Sequence, residues 1–155
     1  MKRWIATVLA AAACISLAAC AKQPSGKQPA AADVVKAVAD QMTFKDNMMT
    51  LEENVVFNFY NINPDKLADK SCYVSSSGAT AEEVSVFKVK DAADIQLVKD
   101  AIAERIEDKK IAFENYVPEE MVKINNAVTY VNGSYVIVAF ADDISPVEKT
   151  FNQQF

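Results

Sequence analysis

The fold is decided by residues 127–140, which read AVTYVNGSYVIVAF. At their centre, Asn132-Gly133 is the dipeptide that best tolerates the positive φ angles of a type I′ hairpin turn. The flanking segments 127–131 and 134–140 are therefore predicted to be antiparallel neighbouring strands. Because the second strand is apolar on both of its faces, we expect it to be a central strand covered above and below.

A second pair of strands is predicted earlier in the chain. Residues 72–76 and 84–90 show the alternation of side chains that is typical of strands. Ser77-Gly78-Ala79 and the small residues after it join the two segments. Together with the later hairpin, they predict a small, mainly antiparallel sheet of four strands.

The other predicted elements are helices, in which apolar residues recur at intervals of three and four. They cover residues 33–42, 50–60, 92–115 and a final helix that begins at Ser145 and Pro146. Pro118 suits the first turn of a short additional helical segment. The order α-α-β-β-α-β-β-α predicts an α+β fold in which the sheet packs against helices.

Two of these helices carry more detailed predictions. Thr50 and Glu53 match a capping box at the start of the second helix. Its predicted core residues are Leu51, Val55, Val56 and Phe59. The long helix has one apolar stripe, which only Lys109 interrupts. Its predicted buried residues are Ile95, Val98, Ile102, Ile106, Phe113 and Tyr116.

The N-terminal segment has the parts of a secretory signal peptide. The basic residues Lys2 and Arg3 precede an apolar run over residues 5–17. An uncleaved membrane helix is the alternative interpretation. It is disfavoured because the run is shorter than the ~20 residues that span a bilayer, and because a polar segment follows at once.

The end of this segment, LAAC at residues 17–20, resembles a bacterial lipobox. We therefore predict cleavage between Ala19 and Cys20, removal of residues 1–19 as a lipoprotein signal peptide, and acylation of Cys20. Cleavage leaves 155 − 19 = 136 residues and moves the formal charge from −5 to −7, since two basic residues are lost. Such an acidic protein is not expected to bind nucleic acid or anionic lipid surfaces.

The mature chain is predicted to be one domain on a tether. Residues 20–32 comprise the lipidated Cys20 and a flexible linker without apolar periodicity, and residues 33–155 form a single α+β domain. Cys72 is the only other cysteine that cleavage leaves, so no intramolecular disulfide is expected once Cys20 is acylated.

Several short segments occur in an order and spacing that are typical of one family. They are FYNI at 59–62, VSVFKVKD at 84–91, ER at 104–105, YVPE at 116–119 and GSY at 133–135. In this order they resemble domain of unknown function 4358, an uncharacterised family of small lipoproteins mostly from Gram-positive bacteria, over residues 33–155. Asn61 stands where glycine is expected in such sequences. The resemblance implies a lipoprotein and supplies no activity, because the family has none assigned.

The composition excludes several kinds of catalytic site. The chain has no histidine, which removes Ser-His and Cys-His nucleophile pairs and histidine-containing zinc and iron sites. It has only three glycines and no glycine-rich phosphate-binding motif. No catalytic residue, metal ligand or cofactor is therefore predicted.

Some weaker candidates are left open. Cys72 is a reactive thiol or, as its strand pattern favours, a small buried apolar residue. Asp142 and Asp143 are either a Ca²⁺-binding or acid-base pair, or solvated carboxylates near a helix start. The same two alternatives apply to Glu119-Glu120, with helix-start electrostatics favoured.

The aromatic residues Phe57, Phe59 and Tyr60 form a further candidate set. They either line a ligand groove or, as their helical spacing favours, belong to the core.

Two functional hypotheses follow. The first, which we favour, is a non-enzymatic binding or scaffold module, lipid-anchored on the extracytoplasmic face of the cell membrane through the acyl chains of Cys20. It would contact an envelope protein or small ligand through its sheet or second helix. The second is an envelope enzyme or Ca²⁺-binding domain that uses Asp142 with Asp143, or one of them with Glu119. Ala21 is not an aspartate retention signal, so a host with two membranes could send the protein to its outer membrane.

Overall fold

The computed structural model describes residues 26–155, which contain one open antiparallel sheet of five strands. The strands are β1 (Met48–Thr50), β2 (Leu67–Ser75), β3 (Glu83–Val89), β4 (Val128–Asn132) and β5 (Tyr135–Phe140). Their order across the sheet is β1-β2-β3-β5-β4, and every neighbouring pair is antiparallel. The predicted α+β class and antiparallel sheet are confirmed.

Helices pack on both faces of this sheet. They are α1 (Ala31–Ala39), α2 (Glu53–Tyr60), α3 (Ile95–Phe113), α4 (Met121–Asn125) and α5 (Val147–Asn152). Short 3₁₀ turns precede β2, α3 and α4. No helix within residues 26–155 is long and apolar enough to cross a membrane.

Each face of the sheet has its own hydrophobic core. One core joins α1 and α5 to side chains such as Val84, Val86 and Ile137. The other joins α2 and α3 to side chains such as Phe87, Val136 and Phe140. Because neighbouring residues of a strand point to opposite faces, β3 and β5 supply both cores and are buried along nearly their whole length. The predicted covering of residues 135–140 on both faces is thereby confirmed.

The predicted count of four strands is wrong, because β1 adds a fifth to the described sheet. Thr50, predicted to begin a helix, pairs instead with Tyr73 at the edge of the sheet. The helix begins at Glu53 with Glu52 as its N-cap, and that side chain makes no capping hydrogen bond. The predicted capping box of Thr50 and Glu53 is therefore wrong as well.

The β4–β5 hairpin is confirmed, but its turn lies one residue later than predicted. Asn132 pairs with Tyr135 in the ladder, so Gly133 and Ser134 are the two central residues. Gly133 has φ +56°, whereas neither Asn132 nor Ser134 has a positive φ. This is the pattern of a type II′ turn, which needs glycine at its first central position only.

The N-terminal part of the domain is attached to the sheet. Helix α1 begins at Ala31, two residues before its predicted start, and the Ala31 amide donates to Asp69 Oδ2 at 2.7 Å. Tyr135 Oη donates to the Pro29 carbonyl at 2.8 Å. The predicted signal peptide, the cleavage site at Ala19 and the lipid attachment at Cys20 lie outside the described residues and stay predictions.

Asn61 ends helix α2 in the left-handed conformation, with φ 49°. Because glycine adopts this conformation without the steric cost of a Cβ atom, Asn61→Gly is expected to raise the free energy of unfolding by about 0.5–1 kcal/mol. Denaturant titration measures the change. Asn58→Gly, in the exposed interior of the same helix, is the control and is expected to lower stability. Equal effects of the two substitutions would contradict the argument.

Candidate functional site

The buried face of α3 carries charge. Lys109, which the sequence marks as the one interruption of an apolar stripe, is only 6% exposed. Arg105 lies one turn earlier on the same side, and Val98 and Ile102 continue the face into the core. Tyr116, predicted to be buried, is instead 85% exposed, since it lies beyond the end of the helix.

Glu83 is the partner of both cations. It begins β3, is fully buried, and points to the same face of the sheet as α3. Its Oε2 accepts from Arg105 Nη2 at 3.2 Å and lies 3.1 Å from Lys109 Nζ. Its Oε1 accepts from Ser85 Oγ at 2.7 Å and from the hydroxyl of Tyr60. We call Glu83, Arg105 and Lys109 the cationic triad, because two cations share one carboxylate.

The surroundings shift the ionisation of these groups. Burial alone would raise the pKa of Glu83, but Lys109 and Arg105 outweigh it and lower that pKa to about 2. Burial lowers the pKa of the Lys109 ammonium, and the attraction of Glu83 opposes this. Burial, reinforced by the charge of Glu83, raises the pKa of the Tyr60 hydroxyl. Glu83 is therefore an ionised carboxylate at neutral pH.

A second buried group of charges lies next to the first. Lys123 of α4 is 1% exposed, and its Nζ lies 2.9 Å from both carboxylate oxygens of Glu120 and 3.2 Å from Glu82 Oε1. We call Glu82, Glu120 and Lys123 the anionic triad, because two carboxylates share one cation. At its rim, Asp142 lies 4.0 Å from Lys123 Nζ and 2.9 Å from the exposed Lys45 Nζ.

The backbone of Ala81 links the two triads. Its N–H donates to Glu120 Oε2 at 2.8 Å, and its C=O accepts from Lys109 Nζ at 3.0 Å. The surplus positive charge of one triad is thus balanced by the surplus negative charge of the other. Each buried ion therefore has at least one partner of opposite charge, which offsets the cost of removing it from water.

A groove of about 430 Å³ lies above the cationic triad. Its walls are mostly apolar and come from β1, α2, β2 and α3. They include Met49, Leu51, Phe59, Val74, Ala112 and Phe113. Arg105 and Lys109 also line the groove, and the Phe59 ring covers the guanidinium with its centroid 4.4 Å from Cζ. The groove therefore combines an apolar wall with a fixed cation.

The loop after β2 borders this groove, but its own donors are occupied. Asp46 accepts from the hydroxyl of Ser75, and from the amide of Ser77 at 3.2 Å and its Oγ at 2.5 Å. The Ser75 and Ser77 hydroxyls hold the pKa of Asp46 at about 2. The Ser75 and Ser77 hydroxyls therefore already donate to a carboxylate of the protein itself.

The weaker candidates lie elsewhere. Cys72 is fully buried in the core, and burial raises the pKa of its thiol. Asp142 and Asp143 have separate partners: Asp142 pairs with lysines, whereas Asp143 caps the Ser145 amide at 2.9 Å, which lowers the Asp143 pKa. Within residues 26–155, no group of three or more cysteine, aspartate or glutamate residues is placed to hold a metal ion.

Candidate residues that are adjacent in the sequence lie in different environments. Glu119 is exposed, whereas Glu120 belongs to the anionic triad. Tyr60 belongs to the core, while Phe59, predicted to be buried, is 38% exposed and lines the groove.

The two triads are not predicted from the sequence. Glu82 and Glu83 directly precede the predicted strand 84–90, and Lys123 follows Pro118 in the short predicted helical segment. The one available signal was Lys109, since a single lysine within a long apolar stripe faces the core together with its neighbours. This signal does not indicate which carboxylate binds the lysine.

Comparison with known families gives the same assignment as the short segments of the sequence. Residues 40–141 match the model of a domain of unknown function, DUF4358. The chain belongs to this family. Both triads and all residues named in the groove fall within the part that defines DUF4358. No curated protein and no solved structure was found to match the chain.

Proposed function

We propose that this DUF4358 protein is a lipid-anchored binding module of the cell envelope, and that the groove above the cationic triad is its binding site. The groove is the observation that carries the proposal. It places an apolar wall beside a guanidinium whose position Glu83 and Phe59 fix. Concave, mainly apolar sites with a few fixed polar groups are typical of small-molecule binding.

The chemistry of the buried groups favours binding over catalysis. Glu83 accepts from Tyr60, Ser85 and Arg105, and it also pairs with Lys109, so its carboxylate has no free position for a substrate proton. A general base needs such a position within hydrogen-bond reach of the substrate. The charged network instead holds in place the side chains of Arg105 and Lys109 that line the groove.

The membrane anchor is tested by replacing its predicted attachment residue. In cells grown with an alkyne-tagged palmitate, Cys20→Ala is expected to abolish labelling and to release the protein from the membrane fraction. Cys72→Ala is the matched control, because Cys72 lies in the buried core and should keep the label on Cys20. Undiminished labelling of Cys20→Ala would refute the anchor at this position.

The groove is tested by filling it without touching the charged network. Ala112 is exposed and lines the groove, whereas Ala103 is exposed on the same helix and is not among the lining residues. A small aromatic probe is expected to shift the methyl NMR signal of Met49, which also lines the groove. Ala112→Trp should abolish the shift and Ala103→Trp should preserve it. Equal responses of the two variants would argue against binding in the groove.

A further inference from the structure

We propose that two copies of this chain pair edge to edge through strand β4, so that their two sheets join into one. The proposal depends on the outward backbone groups of this strand, on the symmetry of their positions, and on the absence of charge along the edge. Strand β4 lies at the opposite edge of the sheet from β1, which lines the groove. The pairing therefore goes beyond the proposed function and does not depend on binding in the groove.

The hydrogen bonds of β5 show which backbone groups of β4 point outward. The Val89 amide donates to the Ser134 carbonyl at 2.9 Å, so Ser134 and every second residue after it bond to β3. The other residues of β5 bond to β4, and their partners there are Val128, Tyr130 and Asn132. The N–H and C=O groups of Thr129 and Val131 therefore point away from the sheet, and no hydrogen bond within residues 26–155 satisfies them.

These outward groups match a second copy of the same strand. In an antiparallel pair, residues of the hydrogen-bonded type lie opposite each other and exchange both of their N–H···O=C bonds. With a two-fold axis at Tyr130, Thr129 of each copy lies opposite Val131 of the other copy. All the outward groups of these two residues are then satisfied. Such a contact uses the same surface on both copies and closes after two of them.

The composition of the edge permits this approach. Residues 126–135, which include β4 and its turn, contain no charged residue and no proline. Charged side chains and prolines are common means by which exposed sheet edges avoid pairing with one another. The Val131 side chain is 42% exposed, so it can pack against Thr129 of the second copy.

The other edge of the sheet does not have this property. The outward residues of β1 are Met48 and Thr50, since the Leu51 amide bonds to β2. An equivalent two-fold pairing around the centre of β1 would bring Asp46 towards Glu52 of the second copy. Like charges that face each other destabilise a strand pair. The charges of the chain therefore favour β4 over β1 as the edge for pairing between copies.

The test replaces the residue on the two-fold axis with cysteine. Tyr130 and its copy would form a non-hydrogen-bonded pair with Cα atoms about 4.5 Å apart, within the range that a disulfide requires. Tyr130→Cys, as the full chain purified in mild detergent and oxidised with copper phenanthroline, is expected to form a disulfide-linked dimer on a non-reducing gel. The unsubstituted chain, which retains Cys20 and Cys72, gives the background.

Val128→Cys is the matched control, because Val128 and Tyr130 lie on the same face of the same strand. The two copies of residue 128 would lie about 14 Å apart, which is too far for a disulfide, so about tenfold less dimer is expected. Equal yields from the two cysteine variants, or no dimer from either, would overturn the pairing.

A proline tests whether the outward backbone groups form the contact. Val131→Pro removes an outward N–H without removing a bond to β5, and proline is tolerated on edge strands at such positions. In the Tyr130→Cys chain it should lower the dimer yield about tenfold, since each dimer loses two hydrogen bonds. Thr129→Pro should act in the same way, whereas Thr50→Pro, at an outward position of β1, should leave the yield unchanged. A yield that neither proline in β4 lowers would overturn the proposal.

Discussion

Replacing Glu83 with glutamine is expected to lower the free energy of unfolding by about 3–5 kcal/mol. Glutamine has nearly the same shape, so the substitution removes charge rather than volume. It leaves Arg105 and Lys109 without their shared carboxylate at a position where the Glu83 side chain is fully buried. An uncompensated buried charge is among the most costly changes that a single substitution can make. Denaturant titration measures the effect.

Glu107→Gln is the matched control for this substitution. Glu107 pairs with Lys110 at 2.7 Å on the solvent side of the same helix, where both side chains are substantially exposed. Exposed pairs of this kind contribute about 0–1 kcal/mol, so the control should change stability little. If the two substitutions had similar effects, the cationic triad would not be a major contributor to stability.

The lowered pKa of Glu83 also predicts how the free energy of unfolding depends on pH. Its pKa is about 2 in the folded protein, below the ordinary value of 4.5, because Lys109 and Arg105 outweigh the effect of burial. A carboxylate with a lowered pKa stabilises the fold above the ordinary pKa, and that contribution is lost as the pH falls through the folded value. The wild-type protein should therefore lose stability between about pH 4.5 and 2. Glu83→Gln should flatten this dependence without abolishing it, since the Asp46 pKa is also about 2.

Replacing Lys123 with methionine is the second change with a large expected effect. Lys123 is the cation that separates Glu82 from Glu120, and methionine keeps a side chain of similar length without the charge. The two carboxylates would then be left without their shared counter-charge, which is expected to cost about 3 kcal/mol or more. The loss should be smaller near pH 4 than at pH 7, because protonation of a carboxylate relieves the repulsion. Thermal and denaturant unfolding at both pH values measure it.

A double substitution separates charge from packing. Glu120→Gln combined with Lys123→Met removes one carboxylate together with the cation, and Glu82 keeps the Lys45 and Asp46 amides as donors. The double variant should therefore be less destabilised than the sum of the single variants. Lys149→Met on α5 is the exposed control. Strictly additive effects would show that Glu120 and Lys123 contribute to stability independently of each other.

The parts of the fold that follow from local patterns could be predicted from the sequence. The Gly133 hairpin, the doubly covered strand and the long helix each have a signal within a few neighbouring residues. Strand β1 has none, because it is three residues long and is stabilised by its ladder with β2. The tertiary pairing of Thr50 with Tyr73 prevailed over its local capping pattern.

The site could be predicted far less well, for a related reason. A charged side chain is buried only where a partner from another part of the chain meets it. Arg105 and Glu83 are 22 residues apart, and Ala81 and Glu120 are 39 apart. A single sequence shows Glu83, Arg105 and Glu120 as ordinary surface charges. Phe59 illustrates the converse, since its helical spacing predicts a place in the core, whereas the side chain is partly exposed and lines the groove.

The two hydrogen bonds at the start of the domain bear on mechanical load. Tyr135, which holds the Pro29 carbonyl, belongs to β5, and Asp69, which holds the Ala31 amide, belongs to β2. These strands flank β3 on opposite sides. A pulling force applied through the N-terminal segment is therefore divided between two strands of the sheet before it reaches the backbone of α1. Both side chains bind the chain at or just before the first residue of α1, so this end of the helix is attached to the sheet at two points.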